Sequence, residues 1–268
     1  MLNKRIQMAL LLIPIGVLLA WLGGIPMLLV VIALLVIGSK ELSDMAGTQG
    51  IKPNFILMAA AGIAFPLTRY FLPIETSHIF VSLFLLLAMA VHVFQKDDHQ
   101  QNHGASFFVT LAGIFYLGWL GSYFISLREM PDGRWWMLLS FVAISLGDAG
   151  AYFLGSRFGK HKLVPTLSPN KTVEGYLGGV AFTFIGAVIL AAICSQFVPA
   201  IKLWHGLVLG AVLGILAPIG DLTESMIKRQ FGAKDSGTFF KSHGGVLDRL
   251  DSWLWGGVLA YYVITLLF

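Results

Sequence analysis

"HGLVLGAVLGILAPIGDLTESMIKRQFG", residues 205–232, decides the fold. From Gly206 to Ala217 it is apolar residues and glycine without a single full charge; after Gly220 it carries Asp221, Glu224, Lys228 and Arg229 within one short run. An uninterrupted oily run of this kind rises 1.5 Å per residue as a helix and, with the apolar residues around it, can cross ~30 Å of hydrocarbon. Gly206, Gly210 and Gly214 recur at every fourth position, a seam for close helix packing either inside one bundle or between two copies in a homodimer. Pro218 and Gly220 then interrupt the helix, and broken backbone at membrane depth is tolerated where it lines a wet cavity. Asp221, Glu224, Ser225 and Lys228 follow at i, i+3, i+4 and i+7, one face of a helix.

Outward from this stretch the chain keeps the same character. Its mean hydropathy is +0.80 and only 12% of its residues are charged, against about 25% in soluble domains. The expected fold class is therefore all-α: a polytopic integral membrane protein. A β-barrel would show alternating segments of about ten residues, and none is present. Nine spans are expected, at approximately 6–22, 25–42, 54–72, 77–95, 105–127, 135–155, 174–198, 203–227 and 252–268. The opening Lys4-Arg5 and apolar run resemble a signal peptide, but a second apolar run follows at once, so it reads as an uncleaved first helix.

With the N-terminus cytoplasmic, 14 of the 18 Lys and Arg fall on the cytoplasmic side, leaving Arg69, Arg128, Arg134 and Lys202 outside. That asymmetry is the positive-inside pattern. The pI near 9.2 then reflects a basic membrane face and not a nucleic-acid partner. Residues 1–135 read as five scaffold and lipid-facing spans, with Glu41 and Asp44 capping the second. Residues 136–268 read as a four-span catalytic region with cytoplasmic loops, the whole folding as a single unit. The lone Cys194 permits no intrachain disulfide.

Three polar clusters belong to the second half. In "FVAISLGDAGAYFLGSRFGKHK" (141–162), Asp148 lies mid-span. A carboxylate there costs at least ~2.5 kcal/mol, so it faces a polar cavity or hydrogen-bonds a neighbouring helix. In "PTLSPNKTVEGYLGG" (165–179), Ser168, Asn170, Lys171 and Glu174 surround a helix entrance; that pattern suits a phosphate, and equally a capped helix with a snorkelling lysine. In "KDSGTFFKSHGGVLDRLDSW" (234–253), His243-Gly244-Gly245 supplies a turn that backbone and phosphate can approach closely. Asp248 and Asp251 there, three apart, read either as ligands for Mg²⁺ together with Asp221 or as acids favoured at a helix N-terminus. With no Ser/His or Cys/His nucleophile pair, the three clusters point to metal-assisted phosphoryl chemistry.

"SMIKRQFGAKDSGTFFKSHGGVLDRLD" (225–251) resembles the signature of the phosphatidate cytidylyltransferase (CDP-diacylglycerol synthase) family. Ser225, Lys228, Arg229, Lys234, Asp235, Gly237, His243, Gly244, Gly245, Asp248, Arg249 and Asp251 fit that pattern, and "GDAGAYFLGSRFGKHKL" and "SPNKTVEG" upstream are similar to other segments of it. The chain departs where the family has Pro-Gly before His-Gly-Gly, carrying Lys241-Ser242 instead. The resemblance implies a bacterial inner-membrane enzyme whose site faces the cytoplasm and whose partners are CTP, phosphatidic acid and membrane lipid. It implies formation of CDP-diacylglycerol and pyrophosphate with Mg²⁺, leaving room for a second cation. Asp221, Asp248 and Asp251 are then the expected metal ligands, and with Lys228 and Arg249 the catalytic set. Asp148, Ser168, Asn170, Lys171, Glu174, Glu224, Ser225, Arg229, Lys234, Asp235, His243, Gly244 and Gly245 are expected to bind substrate. The alternatives are a CTP-dependent lipid-alcohol kinase, a transferase acting on ether lipid, and, from another class, an ion-coupled transporter.

Overall fold

In hydrocarbon every backbone N–H and C=O must find its partner within the protein, so apolar runs of this length fold as helices. The computed structural model describes residues 14–94, 102–240 and 244–268. Helix α1 is present from residue 14 to 22. It is followed by α2 (Gly24–Gly47), α3 (Phe55–Phe71), α4 (Ser77–Phe94), α5 (His103–Ala112) and α6 (Tyr123–Glu129), with a π-helical stretch at Gly113–Trp119 joining the last two. Then come α7 (Gly133–Phe158), the strands β1 (Lys162–Val164) and β2 (Ser168–Thr172), α8 (Val173–Cys194), α9 (Leu203–Leu216), α10 (Pro218–Gln230) and α11 (Leu247–Leu267).

Among the described residues seven helical runs are long and apolar enough to span a membrane, so the protein is an all-α polytopic membrane protein with a shorter tally than the nine expected. The difference has two sources. Helix α3 has only 17 residues, and the expected span 6–22 lies largely outside the described residues. The other departure is the antiparallel β1–β2 pair, which joins Lys162 to Thr172 and Val164 to Ser168 where a plain loop was expected.

The chain divides into two compact units: Met1–Glu129 with Gln230–Asp248, and Met130–Arg229 with Arg249–Phe268. The first has a core of Ala61, Phe65, Phe84, Ala88 and Ile114, in which Phe65 meets Trp119 edge to face at 5.3 Å. Asn54 caps α3, accepting from the Leu57 N–H at 2.9 Å. Arg69, counted above among the outer cations, is buried in the last turn of α3, its guanidinium 4.5 Å from the Trp119 ring and 4.3 Å from the Tyr123 ring. Arg128 donates to the carbonyls of Ala20 and Trp21 at 2.6 and 3.0 Å, a cation closing the C-terminal end of α1 where the helix dipole favours it. Glu41 and Asp44 do not cap α2; both lie within it, Asp44 paired with Lys40 and Glu41 buried.

In the second unit α9 lies along α8 through the glycine ladder. A Cβ on Gly206 would come within 2.6 Å of the Ala187 carbonyl oxygen, one on Gly210 within 2.9 Å of the Phe184 Cα, and one on Gly214 within 3.1 Å of the Val180 carbonyl oxygen. The ladder is thus occupied inside the bundle and does not offer a seam to a second copy. Aromatic pairs close the unit at the loop end: Trp135 stacks on Phe197 at 5.1 Å, and Phe268 stacks on His205 at 4.1 Å. Asp148 lies thirteen residues further along α7 than Trp135, ~20 Å away by helical rise.

Because the ladder faces backbone and not flexible side chains, Gly210→Ala is expected to lower the thermal midpoint of the detergent-solubilised protein, a loss of about 1–3 kcal/mol. The same change at Gly104, where a Cβ would meet nothing within 4 Å, is expected to be neutral or slightly stabilising. Thermal unfolding of the two variants side by side checks this.

Candidate active site

The break read from Pro218 is real: α9 ends at Leu216 and α10 starts at Pro218, where a missing N–H costs a first turn nothing. The interruption turns the charged part of the run into a separate helix. Gly220 then sits against α11 so closely that a Cβ would fall 3.0 Å from the Asp251 carbonyl carbon and 2.8 Å from Trp255 Cδ1. This contact brings α10 and α11 together, and with them Asp221, Glu224 and Asp251, whose carboxylates each offer an oxygen within 4.8 Å of the others. Glu224 is only 2% exposed.

Three like charges at that spacing repel unless cations answer them. Two do. Lys171 Nζ, carried in by β2, lies 2.6 Å from Asp221 Oδ2. Lys228 Nζ lies 2.6 Å from Glu224 Oε2, one turn along α10. Asp251 Oδ1 accepts from the Ser252 N–H at 2.6 Å. Asp148, on α7, shares the electrostatic environment of Asp221 and Lys171. Carboxylate oxygens converging on one point are the donor set a hard divalent cation takes, so the residues present fit such an ion.

The hairpin that carries Lys171 is held at both ends. At its base the Glu174 carboxylate accepts from the backbone N–H of Lys160 at 3.0 Å and of His161 at 3.2 Å, and lies 2.6 Å from His161 Nδ1. At its turn Arg229 Nε donates to the Leu167 carbonyl at 3.3 Å. Thr172 caps α8 through the Gly175 N–H. Ser168 is half-buried on β2 and Asn170 exposed, while Ser225 is buried on α10.

The remaining expected residues lie in the returning segment of the first unit. Lys234 and Asp235 are exposed, and Arg249, which opens the second segment of the second unit, is exposed on α11. Asp235 borders an open cleft of about 470 Å³ with Asp44, Thr48, Gln49 and Phe231. Asp248 is engaged in shaping the turn: its Oδ2 accepts from the Ser236 N–H at 2.8 Å, the Ser236 hydroxyl at 2.9 Å and the Gly245 N–H at 2.7 Å. The acid grouped with Asp221 and Asp251 is thus Glu224, which the sequence reading assigned to substrate. His243, with Lys241 and Ser242 before it, lies outside the described residues. The residue missed altogether is Glu41, whose carboxylate accepts from the N–H of Val246 at 2.9 Å and of Leu247 at 3.0 Å. The one available signal was an acid in the last two turns of a spanning helix, in the polar stretch from Ser39 to Asp44.

If the acids form one cation site, Asp221→Asn and Asp251→Asn should each weaken Mn²⁺ binding, read by electron paramagnetic resonance titration. Gly220→Ala, which touches no ligand but pushes α10 off α11, should weaken it by about tenfold or more. Binding unchanged by all three would remove the site.

Similarity to known proteins agrees with this chemistry. The family model described as "Cytidylyltransferase family" matches residues 3–267. A phosphatidate cytidylyltransferase of Staphylococcus haemolyticus is 34% identical over 246 residues, 87% of each chain. Another, of Synechocystis, is 31% identical over 294 residues, 94% of each chain. A third, of Bacillus subtilis, is 40% identical over 160 residues, which is 59% of this chain and 58% of that protein. With the match running almost end to end, the chain belongs to the cytidylyltransferase family.

Proposed function

We propose that this protein is a CTP:phosphatidate cytidylyltransferase, forming CDP-diacylglycerol and pyrophosphate at the cytoplasmic face of a bacterial inner membrane. The observation that carries the reading is the trio Asp221, Glu224 and Asp251 with Lys171 and Lys228 each 2.6 Å from one of its carboxylates. Carboxylates for a cation beside lysines for phosphate is the equipment of phosphoryl transfer, and little else is required of the protein in such a reaction. The cytoplasmic orientation rests on the distribution of Lys and Arg, 14 of 18 on the N-terminal side of the bilayer.

The reaction itself balances without a protein base. A non-bridging oxygen of the lipid phosphate bonds to the α-phosphorus of CTP, and the bond from that phosphorus to the β-bridging oxygen breaks, releasing pyrophosphate. A phosphate monoester has a second pKa of ~6, so the nucleophile is already ionised near neutrality. What remains is positioning and charge neutralisation. Asp221, Glu224 and Asp251 would hold Mg²⁺, which when bound supplies neutralisation of the phosphate oxygens and polarisation at phosphorus. Lys171 and Lys228, each already aimed by a carboxylate, would share their charge with the polyphosphate, and Arg229 and Lys234 would each add a cation for phosphate or headgroup. Asp148, beside Asp221 and Lys171, would keep Lys171 directed inward. In the first unit the Gly244–Gly245 turn, Asp248, Asp235 and His243 would contact substrate as the family resemblance implies, and in the second unit so would Ser168, Asn170, Glu174, Ser225 and Arg249.

Purified protein given radiolabelled CTP, phosphatidic acid and Mg²⁺ should release pyrophosphate and yield a labelled liponucleotide. Asp221→Ala should cut kcat/KM at least about a hundredfold, as expected when a group stabilising transferred phosphoryl charge is lost. Labelled CDP together with a phosphorylated alcohol would identify a kinase instead. Turnover confined to an ether-lipid analogue would shift the lipid substrate.

A further inference from the structure

Glu41 is a carboxylate on an apolar helix, 7% exposed, with three donors directed at it from a segment about two hundred positions later in the chain. Its Oε1 accepts from the Val246 N–H at 2.9 Å, and its Oε2 accepts from the Leu247 N–H at 3.0 Å and lies 3.1 Å from the Ser236 hydroxyl, whose one proton it shares with Asp248 Oδ2. A buried charge in such surroundings costs several kcal/mol unless it is fully hydrogen-bonded, so these contacts are the condition for its being there. Val246 and Leu247 are where α11 begins. The carboxylate therefore closes the N-terminal end of α11 from outside the helix, where unpaired N–H groups and the helix dipole both favour an anion.

The same carboxylate explains two glycines. A Cβ on Gly237 would lie 2.7 Å from Glu41 Oε1, and one on Gly245 would overlap the Glu41 carboxylate itself. Both positions are glycine because the Glu41 side chain fills the space a methyl group would need. Ser236 then passes the constraint on: its hydroxyl lies 3.1 Å from Glu41 Oε2 and 2.9 Å from Asp248 Oδ2, and Asp248 Oδ2 in turn holds the Gly245 N–H. The Phe240 N–H donates to the Gly244 carbonyl at 3.0 Å.

We propose that Glu41 is a positioning residue: its carboxylate, through Ser236 and the first N–H groups of α11, sets the geometry of the Gly244–Gly245 turn and of Asp248. The proposal rests on the functional reading above for its consequence in turnover, though not for the clasp itself. With one oxygen replaced by an NH₂ group, Glu41→Gln presents a donor to a donor on one side of the clasp, at almost unchanged volume.

The test compares wild type, Glu41→Gln and Glu41→Asp in lipid nanodiscs. Glu41→Gln should raise amide exchange across 244–248 at least tenfold and lower kcat at least tenfold. KM for CTP should stay within about twofold and the thermal midpoint near wild type, with Glu41→Asp recovering part of both changes. Wild-type exchange and wild-type kcat in Glu41→Gln would overturn the proposal. So would a fall in thermal midpoint with exchange rising throughout α2 and kcat and KM changing together, which is the mark of a merely structural residue. Should Glu41→Gln not fold, Gly245→Ala pushes on the same carboxylate from the other side and must reproduce the local exchange change. A wild type inactive towards phosphatidic acid would defeat the functional reading alone, since exchange across 244–248 still decides whether Glu41 clasps the turn.

Discussion

A carboxylate placed among membrane helices is expensive until something answers its charge, and the polar architecture of this protein follows from that requirement. In the second unit Asp221 is answered by Lys171 and Glu224 by Lys228. In the first, Glu41 is answered by backbone N–H groups and a hydroxyl, and Asp248 by another set of the same kind. The two solutions differ in consequence. An ion pair with lysine holds in place a point charge that a phosphate can share, while a carboxylate held by backbone N–H groups fixes the path of the chain. The first solution suits chemistry and the second suits scaffolding.

Glycine is the second recurring constraint, and it acts by absence of a side chain more than by freedom of backbone. Gly220 lets α10 touch α11, Gly206, Gly210 and Gly214 let α9 lie on α8, and Gly237 and Gly245 make room for Glu41. Each is a point where two pieces of the chain approach nearer than an alanine would allow. In hydrocarbon, where burying apolar surface offers no advantage over lipid, such close approach is a main source of helix association. The acid cluster depends on one of these contacts directly, because Asp221 follows Gly220 in sequence and Asp251 contributes the backbone it rests on.

What could be read in advance divides along the range of the interactions. The spanning helices are legible because apolar length alone specifies them, and α2, α7 and α8 lie where their runs predict. The stripe of Asp221, Glu224 and Lys228 on one face of α10 is a local periodicity, and so is the break at Pro218. Glu41 was not legible in its role, because its partners lie 195 to 206 positions away and no local pattern points to them. Spacing alone also paired Asp248 with Asp251, although three-dimensional contacts commit Asp248 Oδ2 to Ser236 and Gly245. The small hairpin escaped for a different reason: Pro169 lies within β2, where a proline argues against a strand, and the pairing of Lys162 with Thr172 is a contact no local periodicity marks.

The grip of Glu174 on the N–H groups of Lys160 and His161 has a consequence for the thermodynamics of ligand capture. A lysine on a free loop carries about 2 kcal/mol of rotamer entropy, and its backbone adds ~1–2 kcal/mol per residue that must be surrendered when it is immobilised on a ligand. The segment bearing Lys171 has already surrendered much of this, tied by Glu174 at one end and Arg229 at the other, with its ammonium directed by Asp221. Much of the ordering that an anion would otherwise impose was completed when the protein folded. Attraction between lysine and ligand can then appear largely as affinity, and not be consumed in stilling the chain.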